Sequence, residues 1–296
     1  MTPAHDTIRA SLADQGYIAS EDLAACVALS QSLGKPVLLE GEAGVGKTGL
    51  AQALADYQDT ELIRLQCFEG LDASAALYDW NYPRQLLAAR HGGNTLHDED
   101  ATSGLFSEAF LLERPLLKAI RCAEPCVLLI DEIDRADEEF EAFLLELLSD
   151  FQVSVPELGT LRARSRPHVL LTSNGTRELS DALRRRCLYF FIDYPDPALE
   201  LDIVKSRLPE LSASVASQAV DIVQQLRSRD LLKVPGVAET LDWCAALMGL
   251  RIESIEHDRE RVRGTLVCLL KTRADREKVL DQAFDEIVTA AASPSP

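Results

Sequence analysis

Nowhere in the 296 residues does an apolar run approach the roughly 20 residues needed to cross a bilayer. The opening stretch, MTPAHDTIRASLADQ, lacks the basic start and apolar core of a secretory signal. Both absences lead to the expectation of a cytoplasmic protein with no transmembrane segment. Seven cysteines occur, Cys26, Cys67, Cys122, Cys126, Cys187, Cys244 and Cys268, an odd and scattered set that argues against a disulfide framework. Cys122 and Cys126 have no second pair at ligand spacing, so buried thiols are expected rather than zinc. Basic charge is also scarce: 30 Lys and Arg against 48 Asp and Glu leave a net charge of −18. Only Arg162 to Arg166 and Arg184-Arg185-Arg186 are locally basic, which disfavours nucleic acid and anionic membrane as main partners. His91 and His97 flank a polar stretch ending in His97-Asp98-Glu99-Asp100, read as a solvated loop. No internal repeat is present.

What is there is a core. Hydrophobic residues make up 47% of the chain, enough for a packed interior. Ser20-Glu21-Asp22 opens an apolar-periodic stretch that stops at Gly34, a helix with an N-cap and a glycine stop. Pro36 to Glu40, Glu61 to Leu65, Val127 to Ile130, His168 to Thr172 and Leu188 to Ile192 are short apolar runs of the kind that form buried parallel strands. Helical patterns fall between them, over Lys47–Tyr57, a short basic stretch at Arg84–Arg90, Glu108–Arg121 (regular from Pro115), Asp137–Leu148 and Ser180–Arg185. Val153 to Ala163, with Pro156 and Gly159, reads as a hairpin. Alternating strands and helices imply an α/β fold, a five-stranded parallel sheet between helices. The pattern changes at Tyr194-Pro195-Asp196-Pro197. Beyond it only helices are expected, over 197–208, 212–229, 238–249, 259–271 and 273–291. The division is therefore a nucleotide-binding domain over 1–195, a helical lid over 196–291 and a tail at 292–296.

Gly41-Glu42-Ala43-Gly44-Val45-Gly46-Lys47-Thr48, followed by Gly49, fits the G-x-x-x-x-G-K-[ST] phosphate loop and lies between a strand and a helix. Its glycines let backbone N–H groups turn towards phosphates, and the next helix adds its positive end. Lys47 would reach the β- and γ-phosphates, and the Thr48 hydroxyl would bind Mg²⁺. The cofactors are thus ATP and Mg²⁺. The run Val127-Leu128-Leu129-Ile130-Asp131-Glu132 delivers Asp131 to a strand end, where it can hold the magnesium shell. Glu132 can then polarise the attacking water. Asp134 or Asp137 suits the cap of the next helix better than Asp131. Asn174, after Thr172-Ser173, can orient the same water or simply occupy a turn. Arg184-Arg185-Arg186 can stabilise charge on a γ-phosphate or end a helix favourably for its dipole, and different arginines can do each.

In this order these pieces resemble an AAA+ ATPase, and within it the MoxR group. Gly16-Tyr17-Ile18, Gly104-Leu105-Phe106-Ser107-Glu108-Ala109-Phe110, Asp131-Glu132-Ile133-Asp134-Arg135-Ala136 and Pro235-Gly236-Val237-Ala238-Glu239-Thr240-Leu241-Asp242-Trp243 carry the likeness. The CoxD type, linked to maturation of molybdenum-containing carbon monoxide dehydrogenase, is the nearest in character. The resemblance implies a homo-hexameric ring with ATP between subunits and an arginine entering the neighbouring site, Arg186 matching best and Arg185 second. It implies Tyr17 and Ile18 beside the adenine, and inserts at 84–105 and 153–164 facing the pore or partner. Its implied partners are a von Willebrand factor A protein and a client metalloenzyme. One departure stands out: many relatives carry an arginine at the start of the lid helix, and Val237-Ala238-Glu239 has none, with Lys233 the nearest basic residue. The expected function is a MoxR-type remodelling ATPase. A nucleotide-gated scaffold with little turnover is the alternative. A small-molecule kinase is disfavoured by the helical C-terminal part, and a DNA motor by the charge.

Overall fold

The computed structural model describes residues 4–91, 107–155 and 159–292. Two compact units emerge. One comprises Ala25–Glu40 and Leu50–Phe191; the other comprises the residues up to Ala24, Gly41–Gly49 and the chain from Ile192 on. The described strands are β1 (Val37–Glu40), β2 (Leu62–Gln66), β3 (Tyr78–Trp80), β4 (Leu111–Glu113), β5 (Val127–Asp131), β6 (Gln152–Val155), β7 (Gly159–Arg162), β8 (His168–Ser173) and β9 (Leu188–Phe191).

The first unit is organised by a five-stranded sheet in the order β2-β5-β8-β1-β9, parallel throughout. The strands β1, β5 and β8 are central, which is why their sequences are apolar on both faces. On one face Leu38, Leu128, Ile130, Val169 and Leu171 pack with Leu116, Leu117 and Ile120 of the helix Pro115–Arg121 and with Phe140, Leu144 and Leu147 of the helix Glu138–Asp150. The latter helix starts where its sequence says: Asp137 accepts the Phe140 N–H at 2.9 Å, and Glu138, Glu139 and Glu141 occupy the first turn. The other buried residues of β5, Val127, Leu129 and Asp131, belong to the opposite face by strand alternation. All five expected strands are present, and in the stretch expected as a hairpin β6 and β7 pair antiparallel, Val155 opposite Gly159.

Three local expectations are corrected. Residues 111–113 of the stretch expected as helix form β4 instead, paired antiparallel with β3 more than 30 residues earlier; partner pairing outweighs local helical tendency there. The helix expected over 259–271 ends at Thr265 and passes into a 3₁₀ turn, Leu266–Cys268. The stretch 273–291 divides into Arg273–Gln282 and Phe284–Ala292, and the break lets Val279, Phe284, Ile287 and Val288 all reach one core. A helix at Ala4–Asp14 is additional to the expected elements. The polar run His97 to Asp100, most of the insert placed at 84–105, Gly104 to Phe106 and the tail beyond Ala292 lie outside the described residues.

In the second unit, the described residues from Pro197 onward form only helices and turns. Their core surrounds the fully buried Trp243, whose indole N–H donates to Thr265 Oγ1 at 2.7 Å. Beneath the start of the helix Val237–Gly249 lies a buried polar knot. The Glu200 carboxylate accepts from both terminal nitrogens of Arg227 (2.7 Å each), from Gln224 (2.8 Å) and from Thr240 Oγ1 (2.8 Å). No described helix is long and apolar enough to cross a membrane.

Candidate nucleotide site

The loop Gly41 to Gly46 leaves β1 at its C-terminal end and runs into the helix Lys47–Gln58. Gly46 has φ +99°, a left-handed conformation that L side chains rarely adopt, so the second fixed glycine of the pattern is required by the backbone. Lys47 is only 7% exposed, and its ammonium donates to the carbonyls of Gly41 (2.6 Å) and Glu42 (2.7 Å). A cation therefore sits over the loop at the start of the helix Lys47–Gln58, with Thr48 exposed beside it. The Tyr17 ring lies against the loop: its edge is 3.6–3.7 Å from where side chains at Gly46 and Gly49 would begin. Burial pushes the Tyr17 phenol above its usual range, so it stays neutral. Ile18 faces a cavity of about 400 Å³ shared with Ala10, Ala13, Ala19, Leu199 and Asp202.

At the C-terminal end of the sheet, β5 delivers two acids. Asp131 is buried and accepts from Arg64 Nη2 (2.5 Å) and Thr172 Oγ1 (2.5 Å). Glu132, the next residue, has φ +55°. A non-glycine residue in the left-handed region is uncommon, and here it turns the chain sharply so that consecutive acids project differently. The Thr172 hydroxyl, which donates to Asp131, also accepts the Glu132 N–H at 2.9 Å, so one side chain fixes both acids. The Glu132 carboxylate pairs with Arg135 Nη1 at 3.1 Å.

The turn after β8 is held by Asp134. Its Oδ2 accepts the N–H groups of Asn174 (3.2 Å) and Thr176 (3.0 Å) and the Thr176 hydroxyl (2.6 Å). Asp134 is thus an anchor for the Asn174 turn rather than a helix cap, the cap being Asp137. Nearby, the buried Glu141 accepts from Arg177 and from the Ser180 N–H (2.9 Å), and Ser180 caps the arginine helix Asp181–Arg186. In that helix Arg184 lies 5.1 Å over the Tyr189 ring. Arg186 donates to Ser149 Oγ (2.8 Å) and Ala182 O (3.2 Å). Arg185 is exposed, and its guanidinium has no hydrogen-bond or ion-pair partner among the described residues.

The cysteines are free thiols. Cys67 lies beside the acids, and burial, then the charges of Asp131, Asp134 and Glu132, pushes its thiol up to about 12, too high for a nucleophile at neutral pH. Cys126 is likewise pushed up to about 12, chiefly by burial. Among the described residues no group of three His, Cys, Asp or Glu is arranged to hold a metal unaided.

Residues 36–187, half of the chain, match the family described as AAA domain (dynein-related subfamily). The chain belongs to this AAA family. An uncharacterized protein of Staphylococcus haemolyticus is 27% identical over 204 residues, spanning 67% of this chain and 70% of its own. The gas vesicle ATPase GvpN of Haloferax mediterranei is 26% identical over 210 residues, which are 67% of this chain but 58% of that protein. Among solved structures, a mutant of Thermotoga maritima RuvB matches at a TM-score of 0.51 and 16% identity over 93% of this chain and 74% of that one, a likeness of fold.

The matched AAA span holds Gly41 to Gly49, Asp131, Glu132, Asn174 and all three arginines; Tyr17, Ile18 and the helices after Pro197 lie outside it. Sequence reasoning missed Arg64, Arg135, Thr172 as a bridge, and Asp134 and Glu141 as anchors. Arg64 and Thr172 reach the AAA acids from neighbouring strands, so no sequence spacing marks them. Arg135 does carry a signal, being three residues after Glu132 on one helical turn.

Proposed function

We propose that this AAA protein binds ATP with Mg²⁺ and hydrolyses it, and that turnover drives MoxR-type remodelling of a partner protein. The observation that carries this reading is the Asp131–Glu132 turn: a buried carboxylate followed by one held in a left-handed conformation, both fixed by Thr172. Backbone strain of this kind clusters at functional sites, and here it falls on the second of two acids at a strand end. The phosphate loop fits a polyphosphate because its amides, the helix N-terminus and the buried Lys47 together supply positive potential. Its Lys47 would move from its own carbonyls to the β- and γ-phosphates. Thr48 and Asp131 fit the magnesium, Asp131 through the ion's water shell because both its oxygens already accept bonds. When bound, that ion offsets charge on the phosphates. Glu132 takes the proton of the attacking water, Asn174 orients that water, and Arg185 and Arg186 of a neighbouring subunit stabilise the transferred phosphoryl group. With Arg186 engaged to Ser149, Arg185 is the better placed to reach outward. Tyr17 and Ile18 flank the adenine.

The name of the GvpN relative supports ATP turnover. The motifs quoted above support the MoxR reading, a homo-hexameric ring, a division at residue 195 into core and lid, and, through the CoxD likeness, a von Willebrand factor A protein and a molybdenum-containing client. The test is Glu132→Gln. Phosphate release should fall at least about a hundredfold while ATP affinity stays within a factor of a few. Pull-down of that variant in ATP, read by mass spectrometry, should recover the partner and the metalloenzyme. Parent-like turnover would remove Glu132 from the chemistry.

A second reading, a nucleotide-gated scaffold with little turnover, is favoured by the Glu132–Arg135 pair, which restrains the proposed base. Under it Arg135→Ala would raise turnover several-fold, whereas a remodeller already cycling would change little.

A further inference from the structure

The helix Val237–Gly249 begins on the phosphate loop itself. Ala238 N–H donates to Gly44 O at 3.2 Å. A Cβ on Gly236 would stand 2.9 Å from Ala43 O and 3.1 Å from the Gly44 carbonyl carbon. One on Gly44, whose φ is +81°, would stand 3.0 Å from Glu239 Oε2 and 3.5 Å from Gly236 Cα. The two backbones thus touch with no side chain between them, and glycine is required on both sides. The seat is held from behind. Gly236 N–H donates to Glu239 Oε2 (3.0 Å), Thr240 Oγ1 donates to Gly236 O (3.1 Å), and Arg227 Nε donates to Pro235 O (2.8 Å).

A peptide unit is planar and trans, so the Gly44 carbonyl and the Val45 N–H point in opposite directions. Whatever holds Gly44 O also aims Val45 N–H. That N–H belongs to the loop's amides, the groups that bind phosphate in the function proposed above, on which this inference rests. Hydrogen bonds in series along one peptide strengthen each other. Phosphate on Val45 N–H therefore tightens the Ala238–Gly44 bond, and the seated helix pre-aims Val45 for phosphate. Such coupling is reciprocal.

We propose that the lid helix senses nucleotide through this backbone seat, with Gly236 and Ala238 as positioning residues for Val45. No lid guanidinium is needed: the first turn carries Glu239 in its place. Glu239 serves the seat as a hydrogen-bond acceptor, so its charge is dispensable.

Amide hydrogen exchange with and without MgADP on the full chain tests this. In the parent, nucleotide should protect the loop and, together with it, amides 237–241. In Gly236→Ala, whose new methyl must push the lid off Ala43 O, nucleotide should still protect the loop. Protection should no longer spread to 237–241, and affinity should weaken about tenfold, the value of one hydrogen bond at the upper end of its range. Glu239→Gln, which keeps the acceptor, should retain the coupling. Parent protection confined to the loop, or Gly236→Ala behaving as the parent, overturns the seat while leaving ATP binding intact. A parent that binds no nucleotide overturns the ATP reading as well. Should Gly236→Ala fail to fold, the parent comparison alone decides.

Discussion

Removing the Glu200 carboxylate should be among the most damaging single changes in the C-terminal helices. Glu200 and Arg227 have side chains 0% and 7% exposed, and the carboxylate accepts four hydrogen bonds. Deleting one partner of such a pair strands the other charge without water, at a cost of about 3–5 kcal/mol. Arg227 keeps its bond to Pro235 O and its place 4.8 Å over the Tyr194 ring in either case, so neither offsets the loss. Glu200→Ala should therefore lose about 4 kcal/mol, while the paired change Glu200→Leu with Arg227→Met should lose far less, because no charge is left buried. The assay is urea unfolding followed by tryptophan emission. The chain has two tryptophans, and Trp80→Phe leaves Trp243, in the same core as the pair, as reporter. With a slope of about 2 kcal/mol per molar urea, the single variant should move its midpoint down by about 2 M. A single variant within about 1 kcal/mol of the parent, or a double variant as unstable as the single, would show that the knot is not a desolvated ion pair.

His168 gives a pH prediction. Its Nε2 bonds Ser30 Oγ (3.0 Å), whose own proton goes to Lys35 O, so Nε2 carries the hydrogen and Nδ1 accepts from Gln58 (3.3 Å). Burial pulls its pKa down to about 4. The unfolded value is about 6.5, so stability should be flat above that pH and fall by up to about 3 kcal/mol as pH drops towards 4, a slope that His168→Gln should abolish in urea titrations at several pH values. Asp134→Ala frees the Asn174 turn and should lower kcat by about tenfold to a hundredfold with little change in ATP affinity; equal slowing with Thr176→Val would locate the effect in that turn. Arg64→Met removes the guanidinium that shares Asp131, so half-maximal ATPase activity should need less Mg²⁺, and an unchanged magnesium titration would separate Arg64 from the ion.

Five strands and the phosphate loop were legible because their information is local. A run such as Val127 to Ile130 admits few environments but a buried strand, and Gly46-Lys47-Thr48 between a strand and a helix is a chemical device in itself. The strand β4 was not legible, because Leu111–Glu113 becomes a strand only by meeting Tyr78–Trp80. The acids at 131 and 132 were found, but not what holds them. In register Gln66 lies opposite Asp131, which leaves Arg64, two residues earlier on the same face, free to reach it diagonally. Only strand order reveals that meeting. The arginine run shows the same limit: three identical residues in sequence become a ring stacker, a helix-to-helix strut and an exposed cation once Tyr189 and Ser149 are in place.

The charge distribution explains why an acidic protein can present itself to an anionic nucleotide. A net charge of −18 would repel ATP if it acted at long range, but at physiological salt charges are screened beyond about 8 Å. What matters is the local balance, and several acids are matched individually. Asp131 has Arg64, Glu132 has Arg135, Glu141 has Arg177, Glu200 has Arg227, and Asp134 is met by two backbone N–H groups and a hydroxyl. In the phosphate loop the Lys47 ammonium donates to the carbonyl oxygens of Gly41 and Glu42, partners it can exchange for phosphate. The scarcity of basic residues is thus no obstacle to binding a polyphosphate. It means that the few arginines near the acids are committed in pairs, so that a substitution at any one of them should expose its partner's charge and alter the site, whereas removing an unpaired surface carboxylate should not.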